Sequence, residues 1–592
     1  MSVGRYNHSG TSQSWYDVLD PAKTYTFEVW LRGTGKLKVI ARRQNEHTNL
    51  ELTKQWKLHS FDFTVPELYE DSKTRRIDLL ISGDGKINID NLRIYQKDAP
   101  YLGLLPDDKT SLKKSGMSYL RTHGFVKTFQ KTYDLTQLTN PAGVTSSTHG
   151  NTLPQTLSAF MDVGIKPWLQ IEPHFTKDEW LGLIEFIAAP YTPSTSSQNE
   201  KPWAAKRYYS GQKLPYTDVF NNIRFEIGNE TWNRLFSPWT FPIMKDGVTN
   251  EHYSSGDTYG LYQRYVLSIF RESPYWDRLQ NKLEPVLGGW NIKSYGQEAA
   301  SKTPLTPLLT IAEYNGGWDQ GEGVVTDTPE GYSSLLSFAA QTASSRAVKH
   351  ITKATQIAEQ RGTHLSVGTY EAGPGYARNG LNNAKVSKAL YEEQEQVMKS
   401  VAAGTATVDT FLTLTRAGYI TQNLFLFQRG DYWSSHAKWY LGGHPYPTWQ
   451  WLTLLNNNGE GLGDLLKTKS ENIPTRDVPA IARRKALDNM PMLDIYPFLN
   501  NKILTIVVIS RFSEKTQSGP ENYSDITIRI PYEKTELIEK WYMTGDYRTS
   551  NAKTVNSQFL MDKKLTSIRN SKLKIDELPH GHTQVYIIKI EN

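Results

Sequence analysis

The chain has 592 residues, Lys+Arg 67 against Asp+Glu 61, 12% aromatic residues and no cysteine. Without cysteine there is no disulfide, zinc ribbon, iron–sulfur cluster or thiol nucleophile, and a formal charge of +6 without a dense Lys/Arg block argues against a nucleic-acid partner. No apolar run approaches the roughly 20 residues of a membrane span, while 16 Trp, 33 Tyr and 20 Phe exceed what cores require and suit stacking on sugar rings.

At about 100 to 200 residues per domain, three domains are expected. In the first, 1–97, alternating runs at 25–31, 36–40 and 87–95 are separated by Gly33-Thr-Gly35 and Gly83-Asp-Gly85, the pattern of a small β-sandwich. The segment Leu19-Asp-Pro-Ala-Lys-Thr-Tyr-Thr-Phe27 and the closing Ile89-Asp-Asn-Leu92 resemble the jelly-roll carbohydrate-binding modules attached to polysaccharide-degrading enzymes. That resemblance implies a polymer-binding role for this domain.

Over 98–458 short apolar strands alternate with amphipathic helical stretches, which predicts an α/β domain of the (β/α)8 TIM-barrel type. Strands are expected at 119–123, 166–171, 223–227, 285–288, 309–312, 365–368 and 423–427, and helices at 177–188, 259–271 and 344–360. The Pro/Ser-rich stretch 190–202 reads as a barrel loop. Strands return at 502–510, 525–530 and 582–589, so 459–592 is expected to be a second β-sandwich.

Barrel enzymes carry their reactive groups just past the C-terminal ends of strands. Two carboxylates stand there: Glu230 ends Arg224-Phe-Glu-Ile-Gly-Asn-Glu230, and Glu371 ends Leu365-Ser-Val-Gly-Thr-Tyr-Glu371. Cleaving a glycosidic bond needs one carboxyl to protonate the leaving oxygen and another to attack or to activate water. The bland alternative for each is a structural ion pair.

The run Phe225-Glu-Ile-Gly-Asn-Glu-Thr-Trp232 resembles the strand-four signature of clan A glycoside hydrolases. Asp178 to Pro190, leading into that run, looks like family 51 arabinofuranosidases, whereas Tyr119-Leu-Arg-Thr-His-Gly124 followed by Gly164-Ile-Lys-Pro-Trp168 is similar to family 39 xylosidases and iduronidases. The clan resemblance implies Glu230 as acid/base and Glu371 as nucleophile, with Asn229 on the sugar 2-hydroxyl and Arg121 holding Glu371 ionised. It also implies His174 lining the subsite, Tyr314 hydrogen-bonded to Glu371, and Trp433 as sugar platform. The Tyr-Glu-Ala-Gly-Pro-Gly-Tyr376 segment departs from the usual Thr-Glu-Trp pattern at the nucleophile.

Simpler roles stand beside these. Arg121 could neutralise Glu226 or Glu172, His174 could be a satisfied pocket histidine, Tyr314 competes with Glu313 for the pocket, and Trp433 could be barrel packing. Trp168, Trp290, Trp318 and Tyr376 read as loop or core aromatics. No His-Glu-x-x-His, phosphate-binding loop or calcium-loop spacing occurs, so neither metal nor cofactor is expected.

The expectation is a retaining glycoside hydrolase acting on a plant or algal polysaccharide, with an acidic or sulfated galactan favoured by the positive charge. A non-catalytic carbohydrate-binding protein on a degenerate barrel and a transglycosylase are the alternatives. The partner is then a polysaccharide or oligosaccharide, with no nucleic acid and no membrane span. Met1-Ser-Val-Gly-Arg5 lacks the apolar core of a signal peptide; a secreted, periplasmic or surface location is expected with the leader already removed, a cytoplasmic one being the alternative.

Overall fold

The computed structural model describes residues 2–3, 22–41, 47–64, 77–82, 85–98, 104, 106–122, 133–141, 152–315, 326–375, 387–438, 441–482, 484–513, 522–523, 525–532, 534–563, 568 and 571–591. His123, Trp318 and Tyr376 lie outside the described residues. The chain forms two compact units, one of Met1–Lys113, Thr122–Pro167 and Asp178–Asn221, the other of Lys114–Arg121, Trp168–Lys177 and Asn222–Asn592.

In the first unit, Thr24–Gly33 is the centre of a three-stranded antiparallel sheet with Lys57–Thr64 and Ile87–Gln96. A second sheet runs in the order Ser2–Val3, Ile77–Ser82, Lys36–Ala41 and His47–Glu51. Phe27, Val29 and Leu31, at the two-residue period of a half-buried strand, share one core with Leu37, Leu50 and Phe63. The same unit carries helices Leu153–Val163 and Pro202–Tyr209, the latter starting on a proline as expected where a backbone N–H has no helical partner.

The second unit contains a six-stranded sheet in the order Ser366–Gly368, Leu308–Ile311, Leu283–Gly289, Ile223–Ile227, Lys166–Ile171 and Tyr119–Arg121. The registers from Lys166–Ile171 through Ser366–Gly368 are parallel. Helix Ser255–Glu272 connects two neighbours, its start fixed by a Ser254/Asp257 capping box and its buried stripe by Tyr259, Gln263, Val266, Leu267 and Phe270. The expected helix 344–360 is instead a longer assembly: Pro329–Thr342, a π-helical stretch Ala343–Ala347, then Val348–Arg361.

The expected strand 423–427 forms only one isolated bridge, Leu424 with Ala372, and the chain just before it another, Tyr419 with Val367. Asn423 N–H donates to the Thr369 side-chain oxygen at 2.8 Å rather than to a backbone carbonyl, which interrupts the ladder.

Toward the C-terminus a second six-stranded sheet includes Leu493–Asn500, Ile503–Ser510, Lys534–Met543 and Thr583–Glu591, its registers antiparallel. The strand Ile503–Ser510 is apolar except at Thr505 and Ser510 because both faces are covered. Val507 and Ile509 pack with Val408, Leu412 and Trp451 of helices Val401–Ala417 and Pro447–Leu455, while Leu504, Ile506 and Val508 pack with Leu573 and Ile575. Among the described residues no helix is long and apolar enough to cross a membrane.

Candidate active site

Strand Ile223–Ile227 leaves the sheet through a sharp turn. Gly228 has φ 70° and Glu230 φ 41°, both in the left-handed region. A Cβ on Gly228 would meet Thr231 Cγ2 at 2.5 Å, so glycine is required there. At Glu230 the same conformation costs on the order of 1 kcal/mol, a strain that surrounding contacts must sustain. They do so: Asn233 N–H donates to the Glu230 carbonyl at 2.7 Å, and Asn233 Nδ2 donates to Glu230 Oε2 at 2.7 Å. The other carboxylate oxygen, Oε1, accepts from Tyr370 OH at 2.7 Å.

Glu371 is held by a different device. Past the end of Ser366–Gly368 the chain forms a short parallel pair, Glu313–Tyr314 with Ala372–Gly373, and Glu313 N–H donates to the Glu371 carbonyl at 3.0 Å. This register brings the Tyr314 phenol beside the Glu371 carboxyl. Glu371 in turn interacts with Glu230. Two adjacent residues, Tyr370 and Glu371, thus both reach Glu230, because the strict alternation of a strand has ended before them.

Arg121 lies beneath this pair and is buried. Its Nε and Nη2 donate to the two oxygens of Glu226 at 2.7 Å each, and Nη2 also donates to Asn229 Oδ1 at 2.9 Å. Trp168 Nε1 completes the shell of Glu226 at 3.0 Å. Of the two carboxylates open to Arg121 from sequence, Glu226 is the one it forks. Its guanidinium carbon is 4.9 Å from the Tyr370 ring centroid, and it reaches Glu371 through charge.

Arg121 and Tyr314 are not alone in setting the charge state of Glu371. Burial, and then the neighbouring Glu230 carboxylate, push Glu371 up to about 8 against the opposing influence of Arg121 and Tyr314. The pair therefore retains a proton near neutrality. Tyr370 is buried and Tyr314 half-buried, and desolvation together with the two carboxylates drives both phenols well above their ordinary range. They remain hydrogen-bond donors.

Hydrogen bonds and charge interactions bring together five of the seven residues singled out from sequence: Arg121, Asn229, Glu230, Tyr314 and Glu371. The other two are placed by their rings. His174 stacks on Trp239 at 4.8 Å and meets Phe175 edge-on at 5.2 Å. Trp433 meets Phe425 at 6.1 Å, and Phe425 meets Tyr314 at 6.3 Å, a chain of rings leading back to Glu371.

Sequence reasoning overlooked Tyr370 and Asn233, which hold Glu230, and Trp239, which carries His174. The only signal for Asn233 was its place three residues after Glu230, the spacing that closes a turn. Trp168 is a core residue, whereas Trp290 stacks almost parallel on Trp232 at 6.5 Å, and Trp232 meets Tyr370. Among the described residues no cluster of three or more His, Asp or Glu side chains could hold a metal ion.

No family model and no curated protein matches this chain by sequence. Solved structures of glycoside hydrolases do match it over most of its length. An α-L-arabinofuranosidase from Thermotoga maritima, solved with arabinose, has TM-score 0.56 at 13% identity over 82% of this chain and 90% of its own. The GH51 arabinofuranosidase of Xanthomonas axonopodis pv. citri gives TM-score 0.57 at 13% identity over 83% and 92%. A GH39 enzyme of the same bacterium is similar at TM-score 0.43 and 10% identity over 82% and 91%, a likeness too slight to argue from. At these identities the shared property is the fold.

Proposed function

We propose that this protein is a retaining glycoside hydrolase in which Glu371 attacks the anomeric carbon and Glu230 serves as acid and then base. The observation that supports it most directly is the contact between the Glu230 and Glu371 carboxyls at the strand ends of a parallel sheet, with a proton retained near neutral pH. An inverting enzyme separates its carboxyls by about 6.5 to 9.5 Å to admit a water, and a retaining one by about 5 to 5.5 Å. A direct interaction between the two carboxyls favours the shorter spacing.

In the first step the proton that the pair retains is delivered through Glu230 to the glycosidic oxygen as Glu371 forms the bond to the anomeric carbon and the leaving group departs. Once Glu371 is esterified its charge is gone, and Glu230 can take a proton from the water that releases the sugar. Tyr314 and Arg121 stabilise negative charge on Glu371 before attack, and Asn229, oriented by Arg121, is offered to the sugar 2-hydroxyl. His174 and Trp433 are assigned to the walls of the sugar site.

In the same proposal the parallel sheet, extended by the bridged segment 419–425, belongs to a (β/α)8 barrel over 98–458, with β-sandwiches at 1–97 and 459–592. The exposed Trp30 and Trp56 of the N-terminal sheet support a polymer-binding role there. The similarity to arabinofuranosidases makes α-L-arabinofuranosides the first substrates to test, and the charge of +6 keeps acidic or sulfated galactans beside them. A secreted or surface location fits a polymer substrate.

The test is a panel of aryl glycosides and of plant and algal polysaccharides, with the anomer of the first-formed product followed by NMR. Retention is expected. Folded protein that cleaves no member of the panel, or that releases the inverted anomer, overturns the proposal.

A further inference from the structure

The segment carrying Trp433 is fastened from below by a buried ion pair. Glu395 lies on helix Lys388–Val397, and Lys399 follows four residues later. The Lys399 ammonium pairs with Glu395 Oε2, and the two side chains are only 2% and 11% exposed. Both then turn to the same backbone turn: Glu395 Oε1 accepts from Tyr432 N–H at 2.7 Å, and Lys399 Nζ donates to the Gly430 carbonyl at 3.3 Å. Tyr446 OH reaches that carbonyl as well, at 3.3 Å, and Lys438 pairs with Asp431 at 2.9 Å. The backbone so held is an unfavourable one, because Tyr432 has φ 58°, a left-handed conformation that costs an aromatic residue energy.

A buried ion pair is a poor device for stability. Removing two charges from water costs several kcal/mol per ion, and apolar replacements of similar volume are often neutral or stabilising. What this pair supplies is an acceptor and a donor at fixed positions for one turn. Immediately after Tyr432 comes Trp433, whose carbonyl accepts from Leu426 N–H at 3.0 Å and whose ring packs against Phe425.

We propose that Glu395, neutralised in place by Lys399, is a positioning residue that locks the left-handed turn at Tyr432 and so presents Trp433 to the sugar. The role of Trp433 as platform rests on the functional proposal above; the locking of the turn does not.

Two neutral double variants isolate the bond. In Glu395→Met/Lys399→Met the acceptor for Tyr432 N–H is lost with the charges, while Glu395→Gln/Lys399→Met removes the charges and keeps a carbonyl acceptor. Amide hydrogen exchange over 428–438 reads the turn, thermal unfolding reads the fold, and steady-state kinetics on the best substrate of the panel read the platform. With Met at both positions, exchange should accelerate at least tenfold while the unfolding midpoint stays near wild type or rises, and KM should increase about tenfold with kcat nearly unchanged. The Gln/Met variant should restore both slow exchange and KM. Trp433→Ala should raise KM similarly, and adding the Met/Met pair to it should raise KM no further.

Equal exchange in the two double variants overturns the locking, and so does fast exchange of the Tyr432 amide in the wild-type protein, a measurement that needs no variant to fold. A KM increase that adds to that of Trp433→Ala overturns the link to the platform. If the wild type cleaves nothing, the glycosidase proposal fails while the exchange data still decide the locking.

Discussion

Two buried Arg–carboxylate centres of the second unit differ in stoichiometry. At the seam of helix Val401–Ala417 and the C-terminal sheet, Arg511 forks Asp409 at 2.5 and 2.8 Å and reaches Asp494 at 2.8 Å, while Arg416 holds Asp494 from the other side at 2.8 and 3.1 Å. Two cations face two anions. Burial would raise Asp494, but the bonds from Arg416 and Arg511 outweigh it and hold its carboxyl below the usual range. Around Arg121, one guanidinium faces Glu226 directly and Glu371 through charge, with Glu230 beside them. The excess anion is accommodated by a proton, and Glu371 moves up instead of down. Matched buried charges leave no proton to move; unmatched ones hold a proton ready for transfer.

The sharpest way to break this contrast is to remove the unmatched carboxylates. Glu371→Ala should reduce turnover by about 10⁴-fold or more, since no covalent intermediate can form. Glu230→Ala should lose about 10² to 10⁴-fold on substrates with poor leaving groups, and much less on activated aryl glycosides, which need no proton. Added azide should accelerate the Glu230→Ala enzyme and yield a glycosyl azide of unchanged anomeric configuration. Rescue of Glu371→Ala with inverted product would exchange the two roles, and wild-type rates in both variants would remove the pair from catalysis.

At the matched centre the loss should appear in folding. Arg511→Leu leaves Asp409 buried without its fork, and uncompensated buried charges cost roughly 3 to 5 kcal/mol. Urea unfolding should show that drop while KM stays unchanged in the folded fraction. A stability loss below about 1 kcal/mol would mean that the seam does not depend on this pair.

Most of the parallel sheet was legible because its strands are short apolar runs bounded by turn residues, and 166–171 and 223–227 match the strands found to the residue. Helix Pro329–Thr342 was not among the expected helices: Thr328 caps it and Pro329 stands in its first turn, but it lacks a clean apolar stripe, Ser334, Leu335, Leu336, Ser337 and Phe338 all being buried in succession. The segment 423–427 has a strand's composition and loses its ladder to a side-chain acceptor, Thr369, which lies 54 residues away. In the site, Glu230 and Glu371 could be found because strand ends are read directly. Tyr370 could not, since its direction depends on where the strand stops alternating.

The two centres should also respond oppositely to pH. Glu371 moves from an ordinary 4.5 to about 8 on folding, so the folded chain holds the extra proton across that window. Its contribution to stability is full below about 4.5 and is lost as pH rises through about 8. Asp494, depressed by its arginines, contributes above its ordinary 3.8 and loses that contribution as pH falls through its lower folded value. Glu371→Gln should therefore flatten the decline in urea stability between pH 5 and 8, by at most about 1.4 kcal/mol per pH unit. A slope identical to wild type would show that Glu371 does not carry the proton.

The smallest effect expected concerns the phenol that no strand pattern would have pointed to. Tyr370 OH donates to Glu230 Oε1 at 2.7 Å, and its ring lies over the Arg121 guanidinium at 4.9 Å. Tyr370→Phe keeps the ring, its packing and the cation contact, and removes one hydrogen bond to a charged acceptor, a loss of about 1.5 to 3 kcal/mol when that acceptor is ionised. The bond favours an ionised Glu230, and in the proposed cycle Glu230 is ionised after its proton has passed to the leaving group, so the interaction is stronger in the glycosyl-enzyme than in the starting state. Tyr370→Phe should consequently slow the first step about tenfold, a factor that corresponds to 1.4 kcal/mol, and leave stability nearly unchanged. On a substrate with a poor leaving group, where that step limits turnover, kcat should fall with KM unchanged and no glycosyl-enzyme should accumulate. A joint fall of kcat and KM on an activated aryl glycoside, with the glycosyl-enzyme visible by intact-protein mass spectrometry, would place the phenol in the second step and assign its hydrogen bond to the base.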